Sequence, residues 1–370
     1  MRPVLFAIFL LYGTGTFAEQ SRPSPVVGAI RWDAWTGGNV TAEVERTLGP
    51  KKYQDRLPWF AKVIDEKTAK IDGNQQAIMD RELDFAAAAG LDYWAFLVYE
   101  EAAPMSAALK QYLQSKKRNQ VRFCLILHNT LNAKSEHWPK ERDRAVALLK
   151  EPGYQTVLDG RPLVYAFCGE PFPFGRFNEF LAAARVKGLN PYCVYMGWNP
   201  MADFKRVSQM GFQAVSAYAI GGSQETFTGL VDSVEKGCWQ RAAEAKVPYV
   251  PLVTSGWDKR PRQDHPVSWE INQDYHTQKI FPSRATPEEI SSHLGRAVSF
   301  VKSNPAICEA NAIILYAWNE YDEGGWFAPT RGADGKPDTS RLDAVRMLLK
   351  PSNRAAHPSL GGNGKTTPQD

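Results

Sequence analysis

Cysteines, basic clusters and long apolar segments are all scarce in this chain, and each scarcity excludes a class of protein. The 370 residues include five cysteines, whose spacings match neither a zinc knuckle nor a dense disulfide scaffold. At most one disulfide is expected, involving Cys238 or Cys308. The net charge is +4, and no basic run is interleaved with aromatic residues, so no nucleic-acid partner is expected. No metal site and no cofactor are expected either.

The only tract that resembles a membrane segment lies at the start of the sequence. Arg2 precedes an apolar run over positions 4–11, and the letters "TFA", ending at Ala18, resemble a small-residue cleavage site. The run is too short to span a bilayer comfortably. Residues 1–18 are therefore predicted to be a signal peptide, and the mature protein is expected to be secreted or periplasmic, with no membrane contact after cleavage.

A stretch without any periodic pattern lies at the other end of the chain. Residues 351–370, "PSNRAAHPSLGGNGKTTPQD", are rich in proline, glycine and serine. Such a composition cannot bury enough apolar surface to order itself. This segment is predicted to be a disordered tail.

Strand-length apolar runs alternate with helical patterns through the rest of the sequence. The runs are apolar nearly throughout, which is typical of parallel strands covered by helices. Eight strand–helix units within residues 19–350 predict an α/β fold, a single (β/α)₈ barrel of the TIM type. An open doubly wound sheet is the structural alternative, but "IRWDAWTGG" after the first run is not a G-x-G-x-x-G turn. The runs are "VVGAIRW", "LDYWAFLVY", "VRFCLIL", "RPLVYAF", "PYCVYMGW", "AVSAYAI", "YVPLVTSGW" and "NAIILYAW".

Carboxylates and flat aromatic side chains predominate at the ends of these runs. In a (β/α)₈ barrel, the strand ends and the following loops build the active site. Indole and phenol rings have an apolar face that can stack on a sugar ring, and carboxylates accept hydrogen bonds from hydroxyls. The pattern predicts a cleft for a polysaccharide or oligosaccharide. The candidate substrate-binding residues are Asp33, Trp35, Tyr99, Glu100, His128, Asn129, Glu170, Trp198, Tyr218, Trp257, Asp258, Asn319, Tyr321, Asp322 and Trp326.

The loop after the eighth run, "AWNEYDEGGW", places three acids within four positions. Cleavage of a glycosidic bond needs a proton donor for the leaving oxygen and a second carboxylate for the anomeric centre. Glu320 and Glu323 are the candidates, because a spacing of three brings both to one side of a helical turn. Unequal burial would push their pKa values apart. Gly324 and Gly325 would let the loop fold tightly.

Two further functions remain open on the same residues. A non-catalytic carbohydrate-binding barrel would keep the cleft around an acid pair that no longer catalyses. A glycan lyase would use a tyrosine or histidine as its base, and Tyr99, Tyr218 and His128 are the candidates.

Three blocks of the sequence resemble glycoside hydrolase family 99, a group that includes secreted glycosidases and proteins assigned to lipopolysaccharide biosynthesis. The ending "YAWNEYDEGGWFAP" resembles the Asn-Glu-Trp-Gly-Glu-Gly stretch of proteins similar to this family. "VGAIRWDAW" resembles its opening strand, and "IMDRELDFAAAAGLDYWAFLVY" resembles its helix into the second strand. The similarity runs in order through most of residues 26–329.

The resemblance implies a (β/α)₈ barrel with a retaining, α-glycoside-cleaving or related activity. Glu320 and Glu323 match the family's Glu-x-x-Glu pair. By that match Glu323 is the general acid and base, and Glu320 removes a proton from the sugar 2-hydroxyl, whose oxygen attacks the anomeric carbon to give an anhydro-sugar. Family 99 carries Trp-His between its glutamates, whereas this chain has Tyr321 and Asp322.

Overall fold

Eight parallel strands curl into a barrel in the computed structural model, which describes residues 23–350. The predicted signal peptide, 1–18, and the predicted tail, 351–370, lie outside the described residues. All eight predicted strands are present, which confirms the α/β barrel. They are β1 (Val26–Arg31), β2 (Tyr93–Val98), β3 (Arg122–Leu127), β4 (Arg161–Ala166), β5 (Tyr192–Gly197), β6 (Ala214–Ala217), β7 (Leu252–Thr254) and β8 (Ala312–Tyr316).

The barrel closes through strands that are distant in sequence. β8 pairs with β1 in register, with Val26 opposite Ala312, and β7 pairs with β8 on its other side. β6 meets the chain just before β7 through a single parallel bridge between Val215 and Tyr249. A backbone hydrogen bond of 3.0 Å from Val250 to Val215 completes this junction. All eight strand ends therefore open on one face.

Helices follow the strands and cover the outside of the barrel. None of those in the described part of the chain is long and apolar enough to cross a bilayer. A π-helical turn, Glu235–Gln240, joins α7 to α8. The helices are α1 (Gly38–Leu48), α2 (Gln76–Ala89), α3 (Ala107–Gln114), α4 (Trp138–Leu148), α5 (Phe174–Val186), α6 (Pro200–Val207), α7 (Phe227–Val234), α8 (Arg241–Ala245), α9 (Arg260–Asp264), α10 (Pro287–Ser303) and α11 (Ser340–Leu349).

The barrel interior is filled by large side chains, including tyrosines whose hydroxyls find partners there. Tyr93 on β2 and Tyr165 on β4 share a hydrogen bond of 2.9 Å, and Tyr93 also donates to the carbonyl of Ile313. Gly28 on β1 makes this possible, because a Cβ there would lie 2.2 Å from the Tyr93 ring. Cys238, one of the two cysteines considered for a disulfide, is a buried free thiol.

Candidate active site

The loop after β8 folds into a tight hairpin that buries its acids. Asn319–Glu320 pairs antiparallel with Gly325–Trp326, and Tyr321–Glu323 forms a short helical turn between them; we call these residues the acidic hairpin. Gly324 has φ = 82°, and a Cβ there would lie 2.5 Å from the backbone nitrogen of Asp258. Glycine therefore allows the hairpin to pack directly on the loop after β7. The two glutamates of the hairpin are 1% and 7% exposed.

Glu320 is buried with one of its carboxyl oxygens unpartnered. The Tyr218 hydroxyl donates to Oε1 at 2.5 Å. Oε2 has no hydrogen-bond partner among the described residues, and Arg262 Nη2 lies 4.0 Å from it. Burial, together with the negative charge of Glu323, raises the pKa of Glu320 well above its usual range. The protonated form of this carboxyl is therefore favoured, and one of its oxygens is left without a hydrogen-bond partner among the described residues.

Glu323 has the opposite environment, since both of its oxygens have charged or hydroxyl partners. Arg262 Nη1 donates to Oε1 at 2.5 Å. The Tyr316 hydroxyl donates to Oε2 at 2.7 Å, and Lys259 Nζ lies 3.3 Å from the same oxygen. Two cations and a phenol stabilise a carboxylate at this position. The three-residue spacing thus brings together two carboxyl groups that are held in unequal ways.

Arg262 is the centre of this charge network, and sequence analysis did not identify it. It is 1% exposed, and Nη1 lies 3.0 Å from Glu270, which also binds Lys259 at 2.8 Å. Burial alone would raise the pKa of Glu270, but the charges of Arg262 and Lys259 outweigh it and lower this pKa to about 2. The basic stretch "DKRPRQ" after the seventh strand could have indicated this residue. Buried acids such as the three of the acidic hairpin need buried cations as partners.

Asp322 is held by the same guanidinium, at the inner side of the hairpin. Arg262 Nε and Nη2 donate to its two oxygens at 2.7 and 3.0 Å, and Thr47 Oγ1 lies 3.4 Å away. Asp322 has no exposed surface. Asp322 therefore holds the Arg262 guanidinium in place through both of its oxygens. Among residues 23–350, no group of three or more histidine, cysteine or acidic side chains is arranged to hold a metal ion.

The end of β1 is tied to the hairpin through Asn319. Its side-chain oxygen accepts from the backbone of Trp32 at 2.9 Å, and its amide donates to Asp33 at 3.3 Å. Asp33 also accepts from Arg31 at 2.9 Å. Burial raises the pKa of Asp33 to about 6, against the opposing charge of Arg31. Asp33 and Asn319 thus lie together at the strand ends beside Glu320.

A row of aromatic rings leads from Glu320 to the surface. Phe167, at the end of β4, stacks between Tyr218 at 4.4 Å and His128 at 5.4 Å between ring centroids. Trp198 meets the edge of Phe167 at 5.8 Å and is 60% exposed. His128 Nδ1 contacts the Phe167 carbonyl at 2.6 Å, and burial lowers the pKa of this imidazole. Phe167 was not among the predicted site residues, although it ends the run "RPLVYAF".

The loop after β7, residues 255–286, lies over the cation side of the site. Trp269 from this loop meets the edge of Trp32 at 5.8 Å, and the Arg262 guanidinium lies 5.0 and 5.5 Å from the two rings. Trp32 in turn donates to the Tyr99 hydroxyl at 2.9 Å. Trp257, at the start of the same loop, is half-buried beneath the ammonium of Lys259 at 4.6 Å. These rings therefore surround the two cations that contact Glu323.

Four predicted site residues lie in the interior, among other side chains. Trp35 is 3% exposed and packs edge-on against Tyr321, whose hydroxyl donates to the Pro329 carbonyl. Trp326 lies under the guanidinium of Arg341, with the ring centroid 4.0 Å from Cζ. Asp258 forms ion pairs with Arg56 and Arg260. Burial raises the pKa of Asp258, but its arginine partners lower it on balance.

Three others lie at the surface, away from the acidic hairpin's contacts. Glu100 accepts from His137 at 2.7 Å, and this hydrogen bond lowers the Glu100 pKa. Glu170 pairs with Arg206 at 2.8 Å. Asn129 is exposed at the start of a short 3₁₀ turn. The structure does not bring these three side chains into contact with Glu320 or Glu323.

Two solved structures resemble this chain across nearly all of its length. Both are of the glycoside hydrolase family 99 endo-alpha-mannosidase from Bacteroides thetaiotaomicron. One, in complex with bis-tris propane, has a TM-score of 0.54 and 11% identity over 88% of this chain and 96% of its own. The other has a TM-score of 0.52 and 11% identity over 87% and 95%. No protein-family model and no curated protein matches the chain. The chain is thus similar in fold to the family 99 endo-alpha-mannosidases, the family whose motifs its sequence resembles.

Proposed function

We propose that the chain is an exported, retaining glycoside hydrolase that cleaves a poly- or oligosaccharide with Glu320 and Glu323. The observation that carries this proposal is the unequal pair itself. Glu320 has a free, buried oxygen and a pKa raised by burial, whereas Glu323 is bound by two cations. Two carboxyl groups in different environments, close enough to share Arg262, are what glycosidic cleavage requires. The similarity in fold to the mannosidases supports the proposal.

The division of roles has two possible orders. The family pattern makes Glu323 the proton donor and Glu320 the group that activates the sugar 2-hydroxyl. The contacts favour the reverse order, because burial raises the pKa of Glu320, whereas Arg262 and the Tyr316 hydroxyl donate hydrogen bonds to Glu323. Either order uses the same two residues.

The proposal is tested by measuring reducing-sugar release from a panel of polysaccharides. We expect Glu320→Gln and Glu323→Gln each to reduce turnover by about 10²–10⁴-fold with little change in saccharide affinity. Glu66→Gln is the matched control, because Glu66 is 75% exposed and pairs only with exposed Lys51. If both catalytic-pair variants release sugar at near the parent rate, the proposal is wrong.

Aryl glycosides with good leaving groups separate the two orders. Such a substrate needs no protonation, so it restores turnover only in the variant that lacks the proton donor. Rescue of Glu323→Gln supports the family order. Rescue of Glu320→Gln supports the order that the contacts favour.

The alternatives give different results in the same assays. A binding-only barrel would bind saccharides without releasing reducing sugar in any form, including the parent. A lyase would release a product with ultraviolet absorbance. Burial raises the pKa values of Tyr99 and Tyr218, which disfavours either phenol as a base. The lyase alternative then depends on His128, whose burial keeps it neutral.

A further inference from the structure

A cavity of about 290 Å³ borders the acidic hairpin at Trp326. Its wall is built from the chain that follows the hairpin, residues 326–333, and from the starts of α10 and α11. Small-molecule sites span roughly 300–1,000 Å³. This cavity is therefore the size of a small ion or a single sugar residue, and too small for an oligosaccharide.

Arg341 brings a buried positive charge to this wall without a carboxylate partner. The residue is 8% exposed, and no acidic side chain among the described residues lies within 4.0 Å of its guanidinium. It donates instead to the backbone carbonyls of Trp326 at 2.7 Å, Ala285 at 3.3 Å and Ser255 at 3.5 Å. Burial, with the like charges of Arg284 and Arg56, lowers the pKa of Arg341 to about 9, against the opposing charge of Asp338. Buried charges in proteins are ordinarily paired with an opposite charge.

Two further arginines line the same cavity. Arg331 is half-buried, and within residues 23–350 it too has no carboxylate within 4.0 Å. Arg284 is 45% exposed and pairs only with Asp55, at the exposed rim. The second acid of the lining, Asp338, is exposed and accepts from the backbone of Ser340 at 3.0 Å. The lining thus has three guanidinium groups, while its two carboxylates lie at the edge.

Two of the three arginines are held against the same aromatic ring. The ring of Trp326 has Arg341 Cζ at 4.0 Å and Arg284 Cζ at 5.3 Å from its centroid. Cation–π contacts of this kind hold a guanidinium over the face of a ring. A planar fork of donors is the group that proteins use to bind carboxylate, sulfate and phosphate.

We propose that this cavity is a binding site for an oxyanion group, which is a sulfate, phosphate or carboxylate. The anion reaches the site either as a free ion or as a substituent on one sugar residue; the shared chemistry is a compact oxyanion that accepts from several guanidinium N–H groups. Because Trp326 pairs with Asn319 in the acidic hairpin, an occupant braces the loop that carries Glu320 and Glu323 from its outer side. The site does not depend on glycosidase activity.

Calorimetric titration of the mature chain tests the proposal. Sodium sulfate and sodium phosphate are titrated at constant ionic strength, with sodium chloride as the reference, and glucose 6-phosphate is compared with glucose. We expect saturable binding of the oxyanions and none of chloride or glucose. Tighter binding of glucose 6-phosphate than of phosphate identifies a sugar-borne anion, and the reverse order identifies a free ion. Both outcomes support the site.

Two arginine variants make the test specific without removing a core residue. Arg284→Gln and Arg331→Gln are each expected to weaken oxyanion binding about ten- to a hundredfold, the effect of losing a charged hydrogen-bond partner. Arg296→Gln is the matched control, because Arg296 is 48% exposed, pairs with one acid, Glu235, and lies outside the cavity lining. The proposal is overturned if sulfate binds no more tightly than chloride, or if Arg284→Gln and Arg331→Gln bind it as the parent does. Arg341 would then be only a brace for backbone carbonyls.

Discussion

Removal of Arg262 should destabilise the fold more than removal of any exposed arginine. Arg262→Met keeps most of the side-chain length but removes the charge that Asp322, Glu323 and Glu270 share. Asp322 has no exposed surface and would keep only a distant hydroxyl, that of Thr47. The variant therefore leaves a buried carboxylate without its cation.

The expected magnitude follows from two independent arguments. Breaking a buried ion pair by removing one partner costs about 3–5 kcal/mol. The pKa of Glu270 falls from 4.5 to about 2 in the folded protein, which is worth about 3 kcal/mol and is shared between Arg262 and Lys259. Unfolding entropy is about 2.1 cal/mol/K per residue, so a loss of about 3–5 kcal/mol across a barrel of this size lowers Tm by about 4–7 °C.

The pH dependence gives a second signature. The folded pKa of Glu270 lies below its unfolded value of 4.5, so its stabilisation is present above pH 4.5 and is lost as pH falls toward 2. The stability difference between the parent and Arg262→Met should therefore be larger at pH 7 than at pH 3.

Urea denaturation at both pH values, followed by circular dichroism, measures these differences. Arg296→Met is the control, because Arg296 is 48% exposed and its pair with Glu235 should contribute no more than about 1 kcal/mol. A free energy of unfolding for Arg262→Met within about 1 kcal/mol of this control at pH 7 would refute the network as a source of stability.

Three other predictions follow from the site and the chain start. Glu320→Gln should be more stable than the parent, by a margin that grows as pH rises above 4.5. The reason is that the pKa of Glu320 is raised in the folded protein, so the carboxyl group favours folding only at low pH. Urea denaturation from pH 4 to 8 checks the sign of this difference. Trp35→Ala should cost about 3–5 kcal/mol of stability because Trp35 is buried, whereas Trp198→Ala should leave Tm unchanged and weaken saccharide affinity; equal effects of the two on Tm would contradict this. N-terminal sequencing of exported protein should find a start near Glu19, and a start at Met1 would contradict signal cleavage.

The barrel was predictable because each strand is apolar on both faces. "YWAFLV" and "YCVYMG" are buried along their whole length in β2 and β5, so neither shows the alternation of a half-exposed strand. Helical patterns between such runs leave few alternatives to a parallel sheet. The weak junction between β6 and β7 was not predictable, because a single bridge at Val215 depends on how the sheet curls.

The site was predictable in part, and the errors have a common physical origin. A strand end fixes a residue's depth in the barrel but not the direction of its side chain. The side chains that meet in the site are those of Glu320, Glu323, Asp33 and Tyr218. The side chain of Glu100 instead turns outward and contacts His137. Arg262 was missed because it lies within a loop helix, α9, and not at a strand end.

The acidic hairpin depends on the loop after β7 for both its charge balance and its position. The amide of Asp258 donates to the Glu323 carbonyl at 2.6 Å, and a Cβ at Gly256 would lie 2.2 Å from the Gly324 oxygen. The same loop supplies the cations that contact Glu323. Because Glu320 meets this loop only at 4.0 Å, it keeps a raised pKa while its neighbour three residues away is ion-paired. The loop after β7 therefore produces the difference in environment between Glu320 and Glu323, although both lie in the loop after β8. Neither loop alone would indicate an acid–base pair.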